Sequence, residues 1–383
     1  LGLEFHGLGT DESFESAVHD PALWRPATAF RTIARHMKPM LSESYDVLAR
    51  LYVPGETVCL ASSLAFSARV AQEALGLPVA TGHLQPSSFA SVEAPPYMGM
   101  PVTRHSPLLL RRIAIRIADA FFDAIFAPTI NELRSDVGLS PIRRVWSRWW
   151  HSPQCVIALF PDWYCPLRTD WPPQTHQLGF PLYDQGDVDP MPGPLLDFLH
   201  ETDPPVVFAP GSGNAQAERF FRAGMTACQL TGRRAVLLTR YREQLPPDLP
   251  PGVIHVEYAP FGALLRRSAA LVHHGGIGTA AQGMAAGIPQ VVMPMAFDQP
   301  DNARRLSALG VANWLSPRAF SGARVAQALE RLLGDAAVRD ACTRLAERIS
   351  GQSPPAAAAA DLVDALRGTD GQAMAVEGAR RER

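Results

Sequence analysis

The chain has 383 residues, of which 47% are hydrophobic and 19% are charged, and its formal net charge at pH 7 is −2. This length and composition support two domains with sizeable cores and exclude an intrinsically disordered protein. The nearly neutral charge gives no reason to expect nucleic acid as a partner. No apolar run reaches the roughly 18–20 residues that a transmembrane helix needs, and residues 1–10 lack the features of a signal peptide.

Segments typical of helices and strands alternate along the N-terminal half. Helical periodicity predicts helices over residues 29–51, where Pro39 interrupts the pattern, and over 64–75 and 108–137. Short apolar runs predict strands over residues 57–61 and 77–81.

A second alternation follows residues 181–194, whose high content of Pro, Gly and Asp predicts a linker. The predicted strands are residues 205–209, 235–239, 253–257, 269–273 and 289–293. The predicted helices are residues 215–231, 263–267, 301–309, 322–333, 336–349 and 355–366, with one more beginning near Thr279 and stopping at Gly287.

Strands that alternate with helices predict parallel sheets with helices on both faces. We therefore expect an α/β fold of two Rossmann-like, doubly wound domains that face each other across a cleft. The predicted domains are residues 1–185 and 186–367, followed by a disordered tail over 368–383. Ligands of such sheets bind beyond the carboxyl ends of the strands.

The five cysteines are odd in number and form no CxxC pair: Cys59, Cys155, Cys165, Cys228 and Cys342. This pattern fits a reducing compartment better than a disulfide scaffold or a zinc site. We therefore expect a cytoplasmic protein.

The most informative segment is HHGGIGTAAQGMAAGIPQVVMP, residues 273–294. It predicts a buried strand, a glycine-rich turn, a helix and a second strand. Glycines let a backbone approach a ligand closely, and the N-terminus of the helix favours an anion such as phosphate. A tight turn without a ligand is the alternative. The segment is neither a Walker A loop, because GK[ST] is missing, nor GxGxxG, because the glycine spacing differs.

Asp298 and Gln299 follow 19 and 20 residues after Thr279. With them, residues 258–302 resemble the donor-binding signature of glycosyltransferase family 1, the UDP-glycosyltransferase-like enzymes of GT-B fold. Residues 149–163, 170–184 and 294–306 are similar to the bacterial branch that includes the rhamnosyltransferase of rhamnolipid synthesis and the macrolide and sterol glycosyltransferases.

The resemblance implies roles for individual residues. The donor diphosphate would be bound by Ser212, His274, Gly275, Gly276, Gly278 and Thr279. The base would stack on Tyr258 beside the Ala259 backbone, and Asp298 and Gln299 would hydrogen-bond the sugar. A core aromatic is the alternative for Tyr258, and a helix N-cap ahead of Pro300 is the alternative for Asp298. His274 matches the family better than His273, which is expected to end the strand.

The resemblance also implies the reaction. Family members invert the anomeric centre in one displacement, without a metal or a cofactor, and the helix N-terminus and His274 stabilise the leaving group. The expected substrates are a UDP- or dTDP-linked hexose or deoxyhexose and a hydroxyl of a lipid or hydrophobic small molecule. Asp187 and Asp189 imitate a DxD metal motif, but we interpret them as solvated residues of the linker.

The N-terminus departs from the family pattern. Members begin with a strand, a GD or GH loop and a helix, whose loop carries the catalytic base in many of them. This chain opens with LGLEFHGLG, which resembles the second strand of that unit, so the expected base lies upstream of Leu1. His6 is a poor substitute, and Ser62-Ser63 stand where the Asp partner of the base is expected. A late start of the sequence is favoured; an inactive nucleotide-sugar-binding protein or partner subunit is the alternative.

The acceptor side is less specific. His83 and Gln85 follow the strand over residues 77–81 and are predicted to contact the acceptor, or else belong to a plain loop. Two groups of basic residues allow two interpretations. They either form a solvated helix face over buried tryptophans, or they contact the inner face of the membrane as a peripheral site. These are Arg111, Arg112 and Arg116, which share a helical face, and Arg143, Arg144 and Arg148, which interleave with Trp146, Trp149 and Trp150.

Overall fold

The computed structural model describes residues 2–97, 99, 102–184, 190–201 and 203–367. The chain divides into two compact units. Unit 1 comprises Leu1–Ala17, Phe30–Phe180 and the chain from Pro354 onward, and unit 2 comprises Val18–Ala29 and Pro181–Ser353.

The strands of the described residues are β1 Cys59–Ser62, β2 Val79–His83, β3 Cys155–Ala158, β4 Thr175–Gln177, β5 Val206–Ala209, β6 Ala235–Leu238, β7 Val253–Val256, β8 Ala270–His273, β9 Gln290–Val292 and β10 Ala312–Trp314. The α-helices of the described residues are α1 Asp11–His19, α2 Ala29–Leu51, α3 Phe66–Leu75, α4 Leu108–Asp136, α5 Gly193–Leu199, α6 Glu218–Thr231, α7 Phe261–Leu265, α8 Ile277–Ala285, α9 Gln299–Ala308, α10 Gly322–Gly334, α11 Ala336–Ser350 and α12 Pro355–Asp364.

Unit 1 contains a parallel four-stranded sheet in the order β1-β2-β3-β4. Its β3 strand, of sequence CVIA, is buried at every residue, as expected for a parallel strand covered on both faces. Helix α2 continues through Pro39, where the sequence predicted an interruption. The packing of Leu41 and Tyr45, which lie beyond the proline, into the hydrophobic core of this unit offsets the lost backbone hydrogen bond.

Unit 2 contains a parallel six-stranded sheet in the order β10-β9-β8-β5-β6-β7. All of its strand pairs are parallel, and the five strands predicted in this half are present. Helix α6 ends at Gly232, whose φ of 65° is the left-handed conformation that glycine adopts without strain. The two sheets with their helices confirm the predicted α/β fold.

The unit boundaries differ from the predicted ones in two segments. Helix α12 was predicted in the C-terminal domain, but it groups with unit 1 because Leu362 and Leu366 pack against β3 residues such as Ile157. The segment Val18–Ala29 groups with unit 2, where Trp24 packs against the core. The tail predicted over residues 368–383 lies outside the described residues.

The N-terminal segment also differs from its expected structure. LGLEFHGLG was expected to resemble a strand, but described residues 2–10 contain no strand. His6 instead contacts Glu4, with its Nε2 3.3 Å from Glu4 Oε1.

Candidate functional site

Three turns of unit 2 follow adjacent strands of its sheet. The GSG turn follows β5, the HGGIG turn follows β8, and the loop with Asp298 follows β9. Because β5, β8 and β9 are neighbouring parallel strands, their carboxyl ends meet at one edge of the sheet. The predicted diphosphate-binding and sugar-binding residues therefore follow the same edge.

The His274 ring lies between two glycines. A Cβ atom at Gly211 would lie 3.1 Å from His274 Cε1, and one at Gly276 would lie 2.5 Å from its Nε2. Gly211 also has a φ of +106°, a conformation that other residues rarely adopt. The two glycines are thus required to admit the imidazole.

Burial sets the charge of His274. It lowers the pKa of the imidazole to about 4, although the backbone of Ala209 acts in the opposite direction. At neutral pH the ring is neutral and presents one N–H donor and one acceptor. It can therefore stabilise an anion by donating a hydrogen bond, but not by a full positive charge.

His273 has a different role from its neighbour. It ends β8, is fully buried, and its Nδ1 accepts a hydrogen bond from the N–H of Gly275 at 3.1 Å. Burial and then the nearby His274 lower its pKa to about 3, against an opposing effect of Gln290. This histidine fixes the conformation of the turn and is not exposed to a ligand.

Helix α8 begins without a side-chain cap. Its N-cap is Gly276, which is in an extended conformation and supplies no side-chain cap, and of the N–H groups of the first turn that of Ile277 donates to the Asp298 carboxyl. A Cβ atom at Gly278 would meet no atom within 4 Å, so open space lies beside this turn. Uncapped N–H groups and the helix dipole form an anion-binding site.

Two hydroxyl groups belong to the same region. Ser212 lies in the GSG turn and is exposed, and Thr279 lies in the first turn of α8 and is half-buried. No hydrogen bond joins either hydroxyl to any other residue of the described ranges. Both groups are therefore available to bind a ligand.

Asp298 is half-buried, and its carboxyl lies beside the first turn of α8. Burial raises its pKa to about 6, against the opposing effects of its own N–H, the Asn302 amide and the N–H of Ile277. The preceding residue, Phe297, has a φ of 59°, which is unusual for a bulky residue. A strained backbone that presents a carboxyl is typical of a ligand-binding loop.

Asn302 was missed by the sequence analysis as a functional residue. Its Nδ2 donates to the Gly275 carbonyl at 3.0 Å and to Asp298 Oδ2 at 2.6 Å. It thus joins the glycine turn to the loop that carries Asp298. Its spacing of four residues from Asp298 in a predicted helix was the available signal, because such residues lie on one face.

Gln299 is almost fully buried. Its Oε1 accepts hydrogen bonds from the N–H groups of Met295 at 2.8 Å and Ala296 at 3.1 Å. The side chain thereby holds its own loop, while Nε2 makes no hydrogen bond with a described residue. Only this nitrogen is left to bind a sugar hydroxyl.

Tyr258, the predicted base-stacking residue, follows β7 and is half-buried. Its hydroxyl donates to the carbonyl of Asp184, whose carboxylate accepts the N–H of Gly262 at 2.6 Å. These contacts fix the position of the ring. The adjacent Ala259 is buried.

In unit 1, the structure corrects the expectation for His83. This residue has no exposed surface, and both of its ring nitrogens lie within hydrogen-bond distance of other side chains. Nδ1 lies 3.0 Å from Ser63 Oγ, and Nε2 lies 3.0 Å from His151 Nδ1. A direct contact between His83 and an acceptor is therefore excluded, whereas Gln85 is half-buried.

The tryptophans of the basic segment are also buried. Trp146, Trp149 and Trp150 pack in the core of unit 1, so they cannot face a membrane, and that part of the membrane interpretation is wrong. Arg111 donates to the carbonyls of Val92 and Glu93.

The described residues contain no cluster of three or more His, Cys, Asp or Glu side chains that could hold a metal ion. Asp187 and Asp189 lie outside those residues. Within the described ranges, no helix is both long and apolar enough to span a bilayer.

The chain is similar to known glycosyltransferases in sequence and in fold. Residues 235–365 match the family model described as the C-terminal domain of proteins like erythromycin biosynthesis protein CIII. The chain is 32% identical over 232 residues to an O-mycaminosyltylonolide 6-deoxyallosyltransferase of Streptomyces fradiae, covering 58% of this chain and 53% of the relative. A vancomycin aglycone glucosyltransferase of Amycolatopsis orientalis is 27% identical over 253 residues, covering 64% and 59%. The chain thus spans about half the length of the curated relatives it matches.

Solved structures are similar over most of the chain. The spinosyn rhamnosyltransferase SpnG matches with a TM-score of 0.63 and 21% identity, covering 94% of this chain and 87% of that chain. The calicheamicin glycosyltransferase CalG4 matches with a TM-score of 0.62 and 21% identity, covering 95% and 83%. At such identity these matches establish the fold. The chain therefore has the GT-B fold of these glycosyltransferases, and its sequence is similar to those of macrolide and glycopeptide glycosyltransferases.

Proposed function

We propose that the protein transfers a hexose or deoxyhexose from a UDP- or dTDP-sugar to a hydroxyl of a hydrophobic small molecule or lipid. The observation that carries this proposal is the position of His274 between Gly211 and Gly276, directly before the first turn of α8, whose N-cap glycine supplies no side-chain cap. That arrangement offers N–H donors and a neutral imidazole to a diphosphate, and Asn302 couples it to the carboxyl of Asp298.

The donor contacts follow from the available groups. The hydroxyls of Ser212 and Thr279 and the N–H groups of the first turn of α8 bind the diphosphate. Donors aimed at developing negative charge stabilise the leaving group as the bond to the anomeric carbon breaks. We propose that this stabilisation needs no metal ion. The transfer is proposed to be a single displacement that inverts the anomeric centre.

The sugar and base contacts use the neighbouring loops. Asp298 and the Nε2 of Gln299 hydrogen-bond sugar hydroxyls, and the base stacks on Tyr258 beside Ala259. The names of the relatives support a deoxyhexose and an aglycone acceptor, since one is a 6-deoxyallosyltransferase and another acts on the vancomycin aglycone. The SpnG rhamnosyltransferase was solved with thymidine diphosphate, which favours dTDP over UDP.

A second candidate function is nucleotide-sugar binding without turnover. It is favoured by Ser62 and Ser63, which occupy the positions where the family pattern expects the Asp partner of the base, and by the burial of His83. Under this alternative the donor would bind, but no acceptor would be glycosylated.

Two measurements distinguish the candidates. Saturating dTDP or UDP should raise the free energy of unfolding by about 2.7 kcal/mol at 100 times the Kd. Release of the nucleoside diphosphate from dTDP-rhamnose or UDP-glucose, measured with a panel of macrolide and lipid acceptors, tests transfer. Stabilisation with acceptor-dependent release supports the transferase, and stabilisation without release supports the binding protein. Absence of stabilisation by either nucleotide contradicts both.

A further inference from the structure

The first half of helix α4 carries a stripe of exposed apolar side chains. Leu109, Ile113 and Ile117 follow one another at intervals of four residues and are 69%, 42% and 54% exposed. Leu110, on the same side of the helix, is 50% exposed. A contiguous patch of large exposed apolar side chains commonly marks a surface that binds a protein or a membrane.

Four arginines near this stripe line a single cavity. Arg112 and Arg116 lie on α4 and are exposed, and Arg143 and Arg144 lie on the segment after it. They line a cavity of about 460 Å³. The four guanidinium groups form no ion pair with a described carboxylate.

The acidic groups of the cavity are already engaged. Asp119 accepts hydrogen bonds from the hydroxyl and N–H of Ser147, and Asp123 accepts those from the N–H groups of Arg144 and Val145. Because the cavity is lined by four arginines and only these two aspartates, its charged side chains carry a net charge of +2. The free arginines therefore have the sign that attracts an anionic surface.

We propose that this face of α4, defined by Leu109, Ile113, Ile117, Arg112 and Arg116, docks on an anionic lipid bilayer together with Arg143 and Arg144 of the adjoining cavity. The apolar stripe inserts at the level of the lipid headgroups, and the arginines contact lipid phosphates. Interfacial helices bind through this combination of an apolar face and adjacent basic residues. A stripe from Leu109 to Ile117 is about 12 Å long, which suits a shallow contact in the plane of the membrane.

Charge complementarity favours a membrane over another occupant. An apolar protein surface would match the row of aliphatic side chains but would leave the net positive charge of the adjoining cavity without a counter-charge. A bilayer containing anionic lipids meets both features at once. Each arginine near such a surface strengthens binding by about fivefold.

The test is co-sedimentation of the full chain with vesicles of phosphatidylcholine, with and without phosphatidylglycerol. The protein should pellet with the anionic vesicles and remain in solution with the neutral ones. The variant Arg112→Glu/Arg116→Glu should weaken binding on the order of 25-fold or more. The variant Ile113→Ser/Ile117→Ser should also weaken it, and more so at high salt, where screening removes the contribution of the arginines.

A matched control is Arg324→Glu/Arg331→Glu, which changes the net charge equally on exposed positions of α10, a helix whose described residues include no large exposed hydrophobic side chain. It should bind as the unchanged protein does. The proposal is overturned if the unchanged protein fails to pellet with anionic vesicles, if either α4 variant binds normally, or if the control loses as much binding. Thermal unfolding of each variant verifies that it is folded.

Discussion

The amide of Asn302 donates to the carboxyl of Asp298 at 2.6 Å, and the same nitrogen donates to the Gly275 carbonyl at 3.0 Å. One fully buried side chain thus holds together the turn that faces the diphosphate and the loop that faces the sugar. The relative position of these two parts of the donor site therefore depends on a residue that need not touch the donor.

Replacing Asn302 with Ala should destabilise unit 2 and weaken donor binding together. The loss leaves the Gly275 carbonyl and the Asp298 carboxyl without a buried donor, which costs about 1–3 kcal/mol. Urea unfolding measures the first effect, and titration with dTDP or UDP measures the second. Asn313→Ala, at a half-buried position of β10, is the control and should leave donor affinity unchanged. Equal effects of the two variants would contradict the proposed role.

The stability of the protein should carry a pH dependence that Asp298 causes. Its folded pKa is about 6 and its unfolded value is near 3.8. Between these values the folded state binds more protons, so the free energy of unfolding falls as the pH rises. The difference amounts to about 3 kcal/mol for a shift of this size.

His273 and His274, whose pKa values are lowered, act in the opposite direction below pH 6.5, so the effect of Asp298 must be isolated. The comparison is with Asp298→Asn. Relative to this variant, the unchanged protein should lose stability between pH 4 and about 6, and urea unfolding at several pH values measures it. A constant difference across that range would show that the carboxyl does not titrate there.

Gly276→Ala should weaken donor binding. The added Cβ would lie 2.5 Å from His274 Nε2, so the imidazole must leave its position between the glycines. A rise in the Kd for dTDP or UDP of tenfold or more, about 1.4 kcal/mol, is expected. Gly334→Ala at the end of α10 is the matched control, because no atom lies within 4 Å of its Cβ position and it lies outside the candidate donor site. If both alanines weaken binding alike, the position of the His274 ring is not the cause.

His274→Ala should raise the Kd for the nucleoside diphosphate by about 10- to 100-fold, because a hydrogen bond to a charged group contributes roughly 1.5–3 kcal/mol. Isothermal titration calorimetry measures this change. His200→Ala removes an exposed histidine at the end of α5 and should bind as the unchanged protein does. Since the His274 ring is neutral above pH 6, its contribution should be the same at pH 6 and pH 8.

The strands and most helix ends of unit 2 were predictable because they depend on local chemistry. Apolar runs mark β5 to β9, and Gly232 marks the end of α6. The strands β3, β4 and β10 were missed, and β4 and β10 have only three residues each outside a longer apolar run, which is too little periodicity to be recognised. The burial of His83 was missed as well, because Ser63 and His151 approach it from positions 20 and 68 residues away in the chain.

The α/β fold and the residues of the candidate donor site could be predicted from short segments, since glycine spacing, strand ends and the Asp298-Gln299 pair are local properties. Which groups of those residues remain available depends on the packed structure. Packing between distant segments places the half-buried His274 ring between two glycines, raises the pKa of Asp298 and commits the Oε1 of Gln299 to its own loop. Burial and hydrogen-bond partners depend on the whole fold, and no local pattern specifies them.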